Sequence, residues 1–155
     1  YSLTEVIDKL KDSGFIELSK SDYGLARISR CVPSVPEEIG ATDLPGEGGL
    51  ERDAISFTKG CYLGQEVVAR MHNVGKAQRG LFVVRGEGVI PDLPIVLTNC
   101  EFKQVGELRT AYLDGEIWQG VAILKKRFAT VGETLRYNRN EVKVIRTLMG
   151  GSENG

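Results

Sequence analysis

One thiol in this 155-residue chain sits in a setting where a thiol could do chemistry. Cys61 lies within Lys59-Gly-Cys-Tyr-Leu-Gly-Gln-Glu66, bracketed by Gly60 and Gly64. Glycine reaches backbone conformations closed to other residues, so the chain can bend there and present the sulfur rather than bury it. Lys59 is two residues away, and a helix-forming stretch from Gln65 to Met71 follows directly. A nearby cation and a helix N-terminus both favour thiolate over thiol, and the thiolate is the form that attacks electrophiles or binds metal. Glu66 opposes this wherever it points at the sulfur. A small, buried, apolar cysteine fits the same spacing, and the residues alone leave both readings open.

Other constellations are weaker. Cys31, Cys61, Cys100 and His72 lack the close ligand pairs of structural zinc sites, so no self-contained metal site is expected. A single thiolate from Cys61 bridging a metal held partly by another protein stays open. His72, between Met71 and Asn73, reads as a loop residue. Gly86-Glu-Gly88 lacks the third glycine and following helix of a dinucleotide fingerprint and reads as a turn. Trp118 alternates with polar neighbours and is expected in the core. Three widely spaced cysteines make a poor disulfide framework and fit a reducing cytosol, hence a cytoplasmic location. With 20 basic and 21 acidic residues the net charge is −1. That balance argues against direct nucleic-acid binding, which depends on excess Lys and Arg. No apolar run approaches the roughly 20 residues that cross a bilayer, and no signal-peptide pattern opens the chain. The chain begins at Tyr1 without Met and reads as a fragment.

The elements that must position Cys61 follow from periodicity and turn chemistry. Ser2-Leu-Thr-Glu5 has the form of a capping box, and Leu3, Val6, Ile7 and Leu10 follow at helical spacing up to Gly14. Asp22-Tyr-Gly24 reads as a turn, and Leu25 to Arg30 as a strand with Ile28 inward. Residues 33–49 hold three prolines and four glycines, too many for regular structure, and a long loop is expected there. Beyond Gly75 the character changes. Segments at 81–84, 95–97, 102–112, 118–124, 134–137 and 142–147 favour extended structure, with turn residues at 86–88, 114–115 and 138–140. Short strands so spaced suggest a small antiparallel barrel or sandwich.

Lys59 to Glu66, followed by Val67-Val-Ala-Arg70, resembles the K-G-C-[FY]-x-G-Q-E signature of YgfZ-type proteins. The resemblance extends through Leu25-Ala-Arg-Ile28, Val32-Pro33, Leu44-Pro45, Glu47, Leu50, Ile55-Ser-Phe57, Gly75 and Arg79-Gly-Leu81. It implies an α+β fold similar to the glycine cleavage T-protein. Residues 1–75 would end a split α/β folate-cavity region, 76–150 would form a small C-terminal antiparallel β-barrel, and 151–155 a flexible tail. It also implies a tetrahydrofolate-dependent accessory protein for assembly or maintenance of iron–sulfur enzymes, tRNA-modifying ones included. Its partners would be folate and iron–sulfur client or assembly proteins, with no membrane. Much of the folate cavity would come from an N-terminal half not included in this sequence. By position the key residue is Cys61, set among Lys59, Gly60, Tyr62, Gly64, Gln65, Glu66 and Arg70, with Arg27 a candidate folate contact. T-proteins resemble K-D-F-I-G-x-E instead, without the cysteine, so an aminomethyltransferase-like one-carbon transfer enzyme is the alternative. Ser29 stands where relatives commonly carry Glu, and Gly49 where many carry Asn.

Overall fold

A computed structural model describes residues 2–50, 55–56, 60 and 77–148. Two helices, α1 (Leu3–Asp12) and α2 (Lys20–Ser29), precede a 3-10 turn at Pro45–Glu47 and six strands. The strands are β1 (Arg79–Glu87), β2 (Ile95–Thr98), β3 (Gln104–Asp114), β4 (Ile117–Lys125), β5 (Thr134–Tyr137) and β6 (Asn140–Thr147). They close into an antiparallel barrel in the order β1-β4-β3-β2-β5-β6. Together with the helices this is the expected α+β class with a small C-terminal barrel. Among the described residues no helix is long and apolar enough to cross a membrane.

The capping box of α1 forms as its sequence predicts. The Glu5 amide donates to Ser2 Oγ at 3.3 Å, and the Ser2 amide donates to Glu5 Oε2 at 2.8 Å. Yet α1 buries none of its residues, and Leu3, Val6 and Leu10 stay exposed. The expected strand at 25–30 is wrong: residues 25–29 belong to α2 and Arg30 is its C-cap. Ser19 caps it, accepting from the Asp22 amide at 3.0 Å. Gly24, Arg27 and Ile28 then share its buried face at helical spacing. Ile28 does point inward, with 1% exposure. Gly24 is no turn. A Cβ there would lie 2.5 Å from the Tyr112 ring, so glycine lets the helix settle onto the barrel.

The barrel interior holds Phe82, Val84, Leu97, Leu108, Trp118, Leu124, Leu135, Tyr137 and Val144. A second core lies outside the barrel wall, where Leu81, Val83, Val121 and Ile123 meet Ile28, Ile39 and Leu148. Strands β1 and β4 are therefore covered on both faces. That is why Leu81 to Val84 and Val121 to Leu124 read as unbroken apolar runs rather than alternating ones. Residues 33–49 form turns and the 3-10 segment, as their Pro and Gly content predicts. Trp118 is fully buried, as expected. Gly86 lies within β1 opposite it, so the expected turn there reduces to Gly88, which has a φ of 73°.

A Cβ on Gly86 would fall 2.1 Å from the Trp118 ring, too close to coexist with it. Gly86→Ala should destabilise the chain by about 1–3 kcal/mol, the usual cost of overpacking. Urea unfolding followed by Trp118 fluorescence measures it. An unchanged midpoint would mean that the ring moves aside freely.

Candidate functional site

A buried carboxylate fastens α2 and the segment after it to the barrel. Glu38 has no solvent exposure, and Arg27 meets it through both terminal nitrogens, at 2.8 Å and 2.5 Å. The Ser34 amide donates to Glu38 at 2.8 Å, and Thr110 of β3 donates its hydroxyl at 2.6 Å. Arg27 also donates to the Val32 carbonyl at 2.6 Å and approaches the Tyr112 hydroxyl at 3.4 Å. Burial works against the Arg27 charge, but hydrogen bonds to Glu38 and Tyr112 and the charge of Glu38 outweigh it and raise its pKa. Arg27 Nε is buried without a partner among the described residues.

A second ionic cluster lies beside the first. The β3–β4 register slips between Leu108 and Thr110, which leaves Arg109 as the extra residue of a bulge. Bulges re-aim side chains. Arg109 reaches off the barrel to the Glu38 carbonyl at 2.9 Å and to the Asp43 carboxylate, while its Nε donates to Glu107 at 2.7 Å. Arg79, at the start of β1, forks onto Glu47 with two bonds of 2.7 Å and reaches Asp43 at 3.3 Å. Burial raises the Asp43 pKa, but the Arg109 hydrogen bond, the Gly40 amide and the charges of Arg109 and Arg79 more than reverse this. It sits below its ordinary value of 3.8.

Between α2 and β3 is a half-open cavity of about 390 Å³. Tyr23, Tyr112 and Leu93 give it apolar and aromatic wall, while Lys20, Arg27 and Glu37 give it charge. A concave, largely apolar lining with a few polar groups is the usual make-up of a small-molecule site.

Of the residues singled out from sequence, Arg27 is placed in full, as the partner of Glu38 and a wall of this cavity. Gly60 is exposed, with no described atom within 4 Å of a Cβ built on it. Lys59, Cys61, Tyr62, Gly64, Gln65, Glu66, Arg70 and His72 lie outside the described residues, as does the helix expected at 65–71. Cys31 is half-buried with its sulfur 3.5 Å from Arg146 Nη1, and Cys100 is exposed. Among the described residues no three His, Cys, Asp or Glu side chains gather as metal ligands. Sequence reasoning missed Glu38, Asp43, Thr110 and Arg109, and named Glu47 without a role. Glu38 and Asp43 sit in the Pro- and Gly-rich loop, where no periodicity marks a buried side, and a bulge leaves no trace in composition.

Comparison with known proteins points one way. The tRNA-modifying protein YgfZ of Colwellia psychrerythraea is 34% identical over 107 residues, covering 68% of this chain and 31% of that protein. The mouse mitochondrial iron–sulfur cluster assembly factor IBA57 is 38% identical over 136 residues, covering 80% of this chain and 35% of that protein. The chain thus spans about a third of the length of these relatives. A crystal structure of the glycine cleavage system aminomethyltransferase T from Bartonella henselae matches with a TM-score of 0.73 at 14% identity. That match covers 92% of this chain and 42% of the enzyme's, and it shows a shared fold. No family model matches the chain. The homologues named YgfZ and IBA57 support the family to which the sequence resemblance points.

Truncating Glu38 to Ala strands the Arg27 charge in a buried site. The expected loss is about 3–5 kcal/mol, that of breaking a buried ion pair from one side. Asp43 behaves differently. Its lowered pKa makes its contribution fully present above the unfolded value and lost as pH falls through the folded one. Asp43→Asn should therefore be less stable than the parent at neutral pH and converge with it as pH falls through the lowered folded-state pKa. Urea midpoints of both chains across pH 2–7 measure this, and a gap that does not narrow in acid would refute it.

Proposed function

We propose that this chain is part of a protein of the YgfZ and IBA57 kind, a tetrahydrofolate-dependent accessory factor in the assembly or maintenance of iron–sulfur enzymes that acts through Cys61. The observation that carries this reading is the similarity, over most of the chain, to a relative named as an iron–sulfur cluster assembly factor. The Lys59 to Glu66 segment supports it, because its glycines and Lys59 suit a displayed, ionised sulfur. A thiolate is required whether Cys61 ligates iron in transit or attacks an electrophile. The partners are iron–sulfur client or assembly proteins.

The cavity between α2 and β3 has the chemistry that a folate needs from this part of the protein. The exposed Tyr23 offers an aromatic surface for a flat ring, and Lys20 offers a cation for a carboxylate. Arg27 supports the wall from within its pair with Glu38. Tetrahydrofolate, when bound, supplies a carrier of one-carbon groups. The rest of its pocket would come from the portion of the relatives that this chain does not span.

The shared fold with an aminomethyltransferase makes one-carbon transfer the second reading. Such transfer needs an acidic group to manage a proton. Where relatives commonly carry Glu this chain has Ser29, whose hydroxyl donates to the Ala26 carbonyl at 2.8 Å on the exposed side of α2. The resemblance makes that Glu a folate contact of the transferases, so Ser29 removes one such contact.

Thiol labelling decides the role of Cys61. In a Cys31→Ser, Cys100→Ser background, labelling across pH should give an apparent pKa below the free-thiol value of about 8.5. Labelling no faster than in the urea-unfolded chain would remove the reactive-thiol reading. Calorimetry with tetrahydrofolate on this chain and on a full-length relative bears on the cofactor. Turnover of a lipoyl-bound aminomethyl donor by the full-length protein would instead favour the transferase.

A further inference from the structure

Arg79 and Lys125 face each other at the first pair of the β1–β4 ladder. Like charges directly opposite in a sheet are destabilising, so this pair calls for negative charge nearby. Arg79 has it in Glu47 and Asp43. Lys125 has none among the described residues, where its Nζ donates to the Gln104 carbonyl at 3.1 Å. Lys126 and Arg127 follow, both exposed and neither ion-paired among the described residues.

These cations are held in place. The Lys126 amide donates to the Gln78 carbonyl at 2.9 Å, which ties the end of β4 to the start of β1. The Lys126 stem crosses β1 at Gly80, with Cε 3.1 Å from where a Cβ would stand. The Arg127 guanidinium lies 4.7 Å from the Phe128 ring centroid, an arrangement that limits its rotation. Between them opens a cavity of about 360 Å³ lined by Glu47, Gln78, Arg79, Lys125 and Arg127. Among the described residues Glu47 is its one carboxylate, and it is already bound to Arg79 through both oxygens. A second hollow, of about 270 Å³, shares Arg79 and Lys125 as lining.

We propose that this rim of the barrel binds a small, multiply charged oxyanion, either a phosphate or clustered carboxylates, with Lys125 and Arg127 as the groups that recognise it. Three features point there. Among the described residues the lining carries three cations and one carboxylate, and that carboxylate is neutralised by Arg79. Arginine and lysine side chains line one recess, and a guanidinium fork suits planar or tetrahedral oxyanions. The recess is small and the chain as a whole has a net charge of −1, which fits a small ligand better than a nucleic-acid backbone. The site draws on no residue assigned above to Cys61 or folate.

The test is an NMR titration of the whole 155-residue chain, with inorganic pyrophosphate and with tricarballylate in separate arms. Saturable shifts are expected first at the amides of residues 78–80 and 125–127. Saturation by pyrophosphate alone marks a phosphate ligand, and by tricarballylate alone a carboxylate one. Lys125→Gln with Arg127→Gln should weaken binding about tenfold or more. Arg85→Gln with Lys143→Gln removes equal charge elsewhere on the barrel and should leave binding within about twofold. Equal weakening in both pairs, or shifts that never saturate, would overturn the proposal. So would a single-stranded RNA oligonucleotide that binds more tightly than pyrophosphate and is not displaced by it. The titration of the unsubstituted chain decides the question even if the double variant does not fold.

Discussion

The carboxylate of Glu38 is the point through which α2, the loop after it and the barrel are joined. Fully enclosed, it accepts hydrogen bonds from Arg27 on the helix, from the Ser34 amide in the loop and from Thr110 on β3. A charge can be buried only where its partners replace the water it loses. The three segments must therefore arrive together, since any one alone leaves Glu38 short of donors. Charged groups at such a junction contribute less net stability than an apolar contact of equal size. What they contribute is register: Arg27 fits Glu38 in one orientation, where a greasy surface would accept several.

That polar junction sits beside an apolar one. Ile28 and Ile39 pack onto Leu81, Val83, Val121 and Ile123 on the outside of the barrel wall. Burial there supplies the driving force, because apolar area removed from water is favourable and indifferent to direction. The ionic groups around it set direction. Arg109 belongs to both tasks: the bulge that makes it the odd residue of β3 turns its side chain away from the ladder and toward Glu38 and Asp43. Glycine serves the same junction, since Gly24 lets α2 lie against the Tyr112 ring.

The barrel was legible in the sequence because its strands are bounded by turn residues and its doubly covered strands read as continuous apolar runs. The cap of α1 was legible because Ser2 and Glu5 act within one turn. Helix α2 was not. Gly24 looks like a breaker along the chain, and only the distant Tyr112 ring explains it. Arg27 was legible as a residue of interest, but its partner Glu38 was not, since two adjacent glutamates in a Pro-rich loop give no sign of which is buried. Glu37 is exposed and Glu38 enclosed. The setting of Cys61 was read from local spacing and likeness, and the described residues reach only Gly60 of it.

The fork of Arg79 onto Glu47 bears on that setting all the same. Glu47 precedes Lys59 to Glu66 and Arg79 follows it, so this pair pins together the two ends of the stretch that carries Cys61. Leu50 packs on the second core just inside one end, and β1 begins at the other. Closing a loop of about 30 residues costs entropy that grows only slowly with length, so one bidentate ion pair suffices to hold its two ends. Arg79 is also held by Asp43, which Arg109 holds in turn, and the Arg109 guanidinium donates to the carbonyl of Glu38. The ends of the Cys61 stretch are thus fixed to the same ionic network that fixes α2. On either side of that stretch, Glu47 and Arg79 are held to the barrel by carboxylate–guanidinium pairs as well as by apolar packing.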